Sequence, residues 1–350
     1  MHIEAEVFTV NKRFPLTISR GTTAKTDNVW VKIREDGIEG WGEASPFGVG
    51  DKRQTTDVIV TAIEQVSSQL KDFNPLQRQQ IEQILNNFPI PSSAKAGIDV
   101  ALHDWMGKKV GLPLWKMWGL DRNAIAPISV TIGISSPEAA RKRTRDWLQF
   151  ADIKVLKVKL GSPEGLEADK QMLQAVQSEA PDRTFYVDAN GGWGLSDAIH
   201  MCNWLAELNI IYIEQPLPRG EENQLIELKN LSPLPIFADE SIFNSSDIPR
   251  LANSVDGINI KLMKSGGLSE AMRMVHTARA YGLQVMFGCY SDSAIANTAA
   301  LQLAPLADYL DLDSHLNLID DPFDGASMEE GRILLNDLPG IGVRHSAFSA

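Results

Sequence analysis

Three carboxylates close short apolar runs in the middle of this chain. They are Asp188 in Thr184-Phe-Tyr-Val-Asp188-Ala-Asn190, Glu214 in Ile210-Ile-Tyr-Ile-Glu214-Gln-Pro216, and Asp239 in Pro235-Ile-Phe-Ala-Asp239-Glu-Ser241. They lie 26 and 25 residues apart, about one strand–helix–strand repeat, so in a closed parallel barrel all three reach the carboxyl mouth. Three hard oxygen ligands there predict Mg²⁺, which accepts a few carboxylates and leaves positions for substrate and water. Lysines supply the complementary chemistry. In Lys154-Val-Leu-Lys157-Val-Lys159-Leu160, period-two alternation turns Lys157 and Lys159 inward and Leu156, Val158 and Leu160 towards the helices. Burial and like charge favour the neutral amine. Lys159, nearer the strand's carboxyl end, is therefore the expected proton acceptor, and Lys157 is expected to lower its neighbour's pKa. Ile258-Asn259-Ile260-Lys261-Leu262 turns Asn259 and Lys261 inward in the same way, four strands further round. Amines on opposite sides of one carbon can take a proton from one face and return one to the other, which is what a racemase or epimerase requires. In Tyr309-Leu-Asp311-Leu-Asp313 both aspartates share a side, suited to a second cation or a substrate ammonium.

The elements that position these residues follow from periodicity. Strands are expected at Ile128–Ile134, Ile153–Leu160, Thr184–Asn190, Ile210–Gln215, Pro235–Ser241, Gly257–Leu262, Gln284–Tyr290 and Tyr309–Asp313. Helical stretches such as Glu164–Ser178, Leu195–Leu208 and Leu268–Tyr281 fall between them, and eight strands with seven helices is the count of an α/β barrel. Residues 1–125 read differently, as strands at Ile3–Val10, Leu16–Ser19, Val29–Ile33 and near Trp41, then helices at Asp57–Leu70 and Ser93–Lys109. That order makes an α+β unit. Residues 319–350, rich in Gly and Asp, are expected to return to it. The predicted fold is a (β/α)7β TIM-like barrel over 126–318, with an α+β capping domain formed by the N-terminal module and the C-terminal tail.

Composition removes several classes of function. The 350 residues carry a net charge of −12, which disfavours nucleic acid as a partner because phosphate binding needs a basic face. Cys202 and Cys289 are too few for a disulfide scaffold and fit a reducing cytoplasm. The start, Met-His-Ile-Glu-Ala-Glu, lacks the basic and apolar regions of a leader, and no apolar run approaches the roughly 20 residues of a membrane span. There is no His-Glu-x-x-His pair, no Walker loop and no Gly-x-Gly-x-x-Gly after a strand, so zinc hydrolysis and nucleotide cofactors are disfavoured.

Taken together, Lys-x-Lys, the three acids and Asn-x-Lys resemble the enolase superfamily, muconate-lactonizing subgroup. Trp41-Gly-Glu43, Ser93-Ala-Lys-Ala-Gly-Ile-Asp99 and Gly111-Leu-Pro113 are similar to that family's capping domain, so the likeness covers nearly the whole chain. Within the subgroup, Asp311-x-Asp313 resembles the motif by which dipeptide epimerases hold the substrate α-ammonium, and Phe237–Ser241 and Asn259–Gly267 are similar to the same enzymes. The resemblance implies Mg²⁺ on Asp188, Glu214 and Asp239, with Asn190 and Glu240 beside it, and Lys159 and Lys261 as the acid/base pair working through an enediolate. Arg20, in Ile18-Ser-Arg-Gly-Thr-Thr23, falls where alanyl-glutamate epimerases pair an arginine with the distal carboxylate. This points to an L-Ala-L/D-Glu-like dipeptide and to recycling of cell-wall peptides. Asp292 stands where relatives often carry a substrate-proximal glutamate. Family likeness also favours a homo-oligomer. The competing readings are o-succinylbenzoate synthase, against which the aspartate pair argues because that substrate has no ammonium, then muconate cycloisomerisation, and outside catalysis a barrel kept for binding alone.

Overall fold

The computed structural model describes residues 1–50 and 52–348. Its first sheet is the antiparallel set β1 (His2–Ile18), β2 (Gly21–Glu35) and β3 (Ile38–Ala44). The two strands expected at Ile3–Val10 and Leu16–Ser19 are the two ends of β1, joined through a register shift between Asn11 and Leu16. Pro15 lies in the shifted stretch; it cannot donate to a ladder and is tolerated where pairing is already interrupted on an edge strand. A short hairpin, β4 (Phe47–Val49) and β5 (Lys52–Gln54), follows, then helices Thr56–Leu70, Arg78–Asn87 and Ser92–Val110. Periodicity missed the second helix, which buries only Ile81 and Leu85. The third is almost wholly buried and lies against β3 at backbone distance: a Cβ on Gly42 would sit 2.0 Å from the Gly97 carbonyl oxygen, so only glycine fits there.

Eight parallel strands follow in chain order, β6 (Ser129–Ile132), β7 (Val155–Lys159), β8 (Thr184–Asp188), β9 (Ile210–Glu214), β10 (Ile236–Ala238), β11 (Gly257–Ile260), β12 (Gln284–Gly288) and β13 (Tyr309–Asp311). A parallel bridge between Ile128 and Leu310 closes the barrel, and Ser129 Oγ lies 3.1 Å from the Leu310 carbonyl oxygen. Each strand begins within two residues of its expected start. Each ends one to three residues early, where the chain leaves the sheet to form the mouth. Below the mouth, Val155, Tyr186, Tyr212, Phe237 and Met286 fill the interior, with Tyr309 packed against them.

The tail completes the cap. β14 (Phe323–Asp324) pairs with β17 (Arg344–His345), and β15 (Ser327–Glu329) with β16 (Arg332–Leu334). Phe323 packs on Trp30 and Phe8 at centroid distances of 4.8 and 5.3 Å, Asn11 N donates to Asp320 Oδ1 at 2.7 Å, and Ile341 N to Asp104 Oδ1 at 2.9 Å. The fold is thus an α/β barrel of the (β/α)7β type under a two-part α+β cap. Ser349 and Ala350, the end of the expected tail, lie outside the described residues. Among the described residues no helix is long and apolar enough to cross a membrane.

Candidate active site

Asp188, Glu214 and Asp239 sit at the carboxyl ends of adjacent strands β8, β9 and β10, fully buried, with one oxygen from each within 4.8 Å of the others. Three buried carboxylate oxygens gathered this closely are a donor set that a hard divalent cation takes. Electrostatics make the same demand. Burial and neighbouring Asp188 push Glu214 up to about 8, whereas Asp188 and Asp239, despite burial, are held low by Lys159 and Lys157 and by Lys261 and Lys264 respectively. Packed acids that disfavour one another's ionisation fit a divalent cation.

Lys159 Nζ donates to Asp188 Oδ2 at 2.5 Å, and Lys261 Nζ to Asp239 Oδ2 at 2.7 Å. The two lysines, on β7 and just past β11, flank the triad and line the same cavity of about 600 Å³. For Lys157 the expectation of a neutral amine is corrected. Its fully buried amine lies 2.6 Å from both Glu214 Oε2 and Asp311 Oδ2 and 3.3 Å from Asp188 Oδ2. Burial alone would lower its pKa, but Asp311, Glu214 and Asp188 outweigh it and hold the group well above its usual value. It is a fixed ammonium under the acids, because strand alternation predicts which residues face inward but not how many carboxylates meet them.

The mouth loops add the remaining partners. Asn259 Nδ2 donates to Glu214 Oε1 at 2.7 Å. Asn190, with φ 45°, bonds Asp188 through its backbone N at 2.8 Å and Glu240 Oε1 through Nδ2 at 3.2 Å. Arg20, at the tip of the β1–β2 hairpin, reaches down from the cap: its Nη2 is 2.8 Å from Glu240 Oε1 and its Nη1 donates to the Asn190 carbonyl oxygen at 2.9 Å. Asp311 and Asp313 both face β6. Asp311 accepts from Ser129 Oγ at 2.9 Å, and Asp313 Oδ2 from Thr131 N at 2.7 Å, while among the described residues Asp313 Oδ1 has only Cys289 Sγ, at 4.0 Å. Asp292 does not reach the cavity wall, which is made there by Cys289, Tyr290 and Ser291. It turns into the seam between cap and barrel, beside Ser45 and Glu43 of the cap, and its Oδ2 accepts from Tyr290 N at 3.1 Å.

Four residues escaped the sequence reading. Lys264 bonds Asp239 and lies 3.2 Å from the Asn259 carbonyl oxygen; it sits on the helical turn Leu262–Ser265, where strand periodicity no longer applies, although Lys-x-x-Lys spacing signals a shared helical face. Gln215, at φ 38°, receives Asp239 N at 2.9 Å and Ser241 N at 3.2 Å on Oε1. Glu43, in the Trp41-Gly-Glu43 motif of the capping sheet, is fully buried and accepts from Ser293 N at 2.9 Å, Ser293 Oγ at 2.6 Å and Ala296 N at 3.0 Å. Tyr290 lies over Lys261, its ring centroid 4.7 Å from Nζ.

A buried acid triad on three consecutive strands, lysines on either side of it and a cap over the mouth define a class, and the chain belongs to it. Residues 138–347 match the family model of the enolase C-terminal domain-like fold, and residues 2–119 that of the mandelate racemase/muconate lactonizing enzyme N-terminal domain. Among individual relatives, the hydrophobic dipeptide epimerase of Roseobacter litoralis is 43% identical over 98% of both chains. The L-Ala-D/L-Glu epimerase of Bacteroides thetaiotaomicron is 38% identical over 95% of this chain and 84% of that one. The crystal structure of a dipeptide epimerase from Cytophaga hutchinsonii, complexed with Mg and the dipeptide D-Ala-L-Val, superposes with a TM-score of 0.93 at 26% identity, covering 99% of this chain and 96% of the other.

Proposed function

We propose that this protein is a Mg²⁺-dependent dipeptide epimerase that inverts the α-carbon of the C-terminal residue of an L,L-dipeptide by two-base 1,1-proton transfer. The observation that carries the reading is the placement of Lys159 and Lys261 on either side of the acid triad at one cavity. Asp188, Glu214 and Asp239 would hold Mg²⁺, which when bound supplies positive charge against the negative charge developing on the substrate carboxylate. One lysine, as the neutral amine, takes the α-proton: the C–H bond breaks, an N–H bond forms and the electron pair stays on the substrate. The other, as ammonium, delivers its proton to the opposite face. Lys157 stays charged and fixes Glu214 and Asp311, and Asn259 orients Glu214. Asp313, supported by Asp311, offers its underused oxygen to the substrate α-ammonium, a role that a succinylbenzoate-forming enzyme would not need.

Arg20 supports an acidic second residue, as in L-Ala-L-Glu. A second reading rests on a specific contact: Glu240 already engages the guanidinium, and Leu16, Ile18 and Phe47 line the same cavity, which favours an apolar second residue. Incubation of acidic and apolar dipeptides in deuterated water, with the α-proton signal and chirality followed together, tests both. Absence of exchange and inversion across such a library overturns the proposal. The same reading assigns residues 1–125 and 319–350 to the cap and 126–318 to the barrel, with a cytoplasmic homo-oligomer as the working form, which light scattering and fractionation would test.

A further inference from the structure

The two lysines have different surroundings. Lys159 is held by Asp188 with no aromatic ring over its amine among the described residues, whereas Lys261 is held by Asp239 and also lies beneath Tyr290, 4.7 Å from the ring centroid. That ring is itself fixed. Phe47 of the cap stacks on it at 4.6 Å with planes 14° apart, and Phe47 is anchored in a cluster with Val49, Ala96, Met263 and Ala296. The backbone around Tyr290 is clamped from the capping sheet: Asn28 Nδ2 donates to the Ser291 carbonyl oxygen at 2.8 Å, and Glu43 receives Ser293 and Ala296. A ring face attracts an ammonium, and more strongly where water is excluded.

We propose that Tyr290 is a positioning residue for Lys261, set by the cap through Phe47, so that the cap bears on one face of the α-carbon through an aromatic ring, whereas it reaches the Lys159 face through the polar chain Arg20–Asn190–Asp188. This rests on the epimerase reading above. The ring's effect is confined to one amine, so its loss divides the two half-reactions. Removing the ring leaves Lys159 able to take and return a proton on its own face, and the substrate presented to it exchanges without inverting.

The test follows α-proton exchange from each epimer separately in deuterated water, with the Lys261→Ala enzyme identifying the epimer served by Lys159. In Tyr290→Leu, inversion of both epimers is expected to fall about 30-fold, the size of a desolvated cation–π contact. Exchange without inversion should persist for the same epimer as in Lys261→Ala and fall for the other. Tyr290→Phe, which keeps the ring, should restore exchange of the second epimer. Equal loss from both epimers, no loss from either, or failure of the phenylalanine to restore exchange overturns the role of Tyr290 while leaving the epimerase intact. A wild-type enzyme that exchanges neither epimer overturns the function itself.

Discussion

Along β8, β9 and β10 the inward side chains change character within two residues. Tyr186, Tyr212 and Phe237 stack across the lower barrel, the first pair with centroids 4.5 Å apart and the second pair also 4.5 Å apart, and Asp188, Glu214 and Asp239 stand directly above them. β7 and β13 repeat the change, with Val155 below Lys157 and Tyr309 below Asp311. The lower layer has no charge to satisfy, and shape and dispersion hold it together. The upper layer is nearly all charge, and the dry floor beneath it strengthens every interaction there, favourable or not. A buried lysine such as Lys157 is tolerated in such a place because carboxylates surround it. The two layers should therefore fail differently: damage above removes chemistry and leaves the fold, and damage below removes the fold.

The largest effects are expected in the upper layer. Glu214→Gln keeps the shape and removes the central charge; calorimetric Mg²⁺ binding and inversion should both disappear while circular dichroism is unchanged. Lys159→Ala should lower inversion by about 10²–10⁴-fold, the range for a positioned acid or base, and epimerisation at the wild-type rate would exclude Lys159 from the mechanism. In the lower layer, Phe237→Ala opens a cavity beside Gly257, whose absent side chain leaves room for that ring. A loss of about 3–5 kcal/mol of stability is expected from denaturant unfolding. If the variant instead keeps its stability and loses metal affinity, the two layers are not separable.

A milder perturbation separates them by pH. Burial, then the charge of Asp311, pushes Asp313 up to about 6. Besides these, Lys12, Lys157 and Cys289 face it. As pH falls through 6 the carboxylate is neutralised, and KM for a dipeptide should rise towards about ten-fold per unit. An acid whose folded pKa exceeds its ordinary value of 3.8 binds its proton more tightly in the folded state, so between 6 and 4 this group adds stability as pH falls. The rise in KM is therefore expected without any loss of thermal stability from Asp313, and a thermal scan beside the kinetics checks the sign.

What the sequence disclosed follows the same division. Period-two alternation located eight strands and the inward residues of the upper layer, because apolar runs ending in a charge mark where a strand leaves the dry core; the aromatic layer below was not read from it. It could not give the charge state of Lys157, which depends on Asp311 from a strand 154 residues away in sequence. Nor did it find Lys264, Glu43 or Tyr290. Lys264 lies on a helical turn just beyond its strand, and Glu43 and Tyr290 act across the seam between cap and barrel, where contacts have no sequence period. Asp292 illustrates the limit: its neighbours Tyr290 and Ser291 reach the cavity, and it turns away into that seam.

The smallest expected effect lies on the boundary between the layers. Tyr212 is fully buried and its hydroxyl has no hydrogen-bond partner among the described residues, while burial, opposed in part by Lys157, pushes it well above the ordinary range for a phenol. A buried hydroxyl without a partner costs about 1–3 kcal/mol, and the ring packing does not depend on it. Tyr212→Phe should therefore raise the unfolding midpoint slightly and leave Mg²⁺ affinity and inversion as they are. A fall in stability would mean that the hydroxyl joins the charged layer through an ordered water.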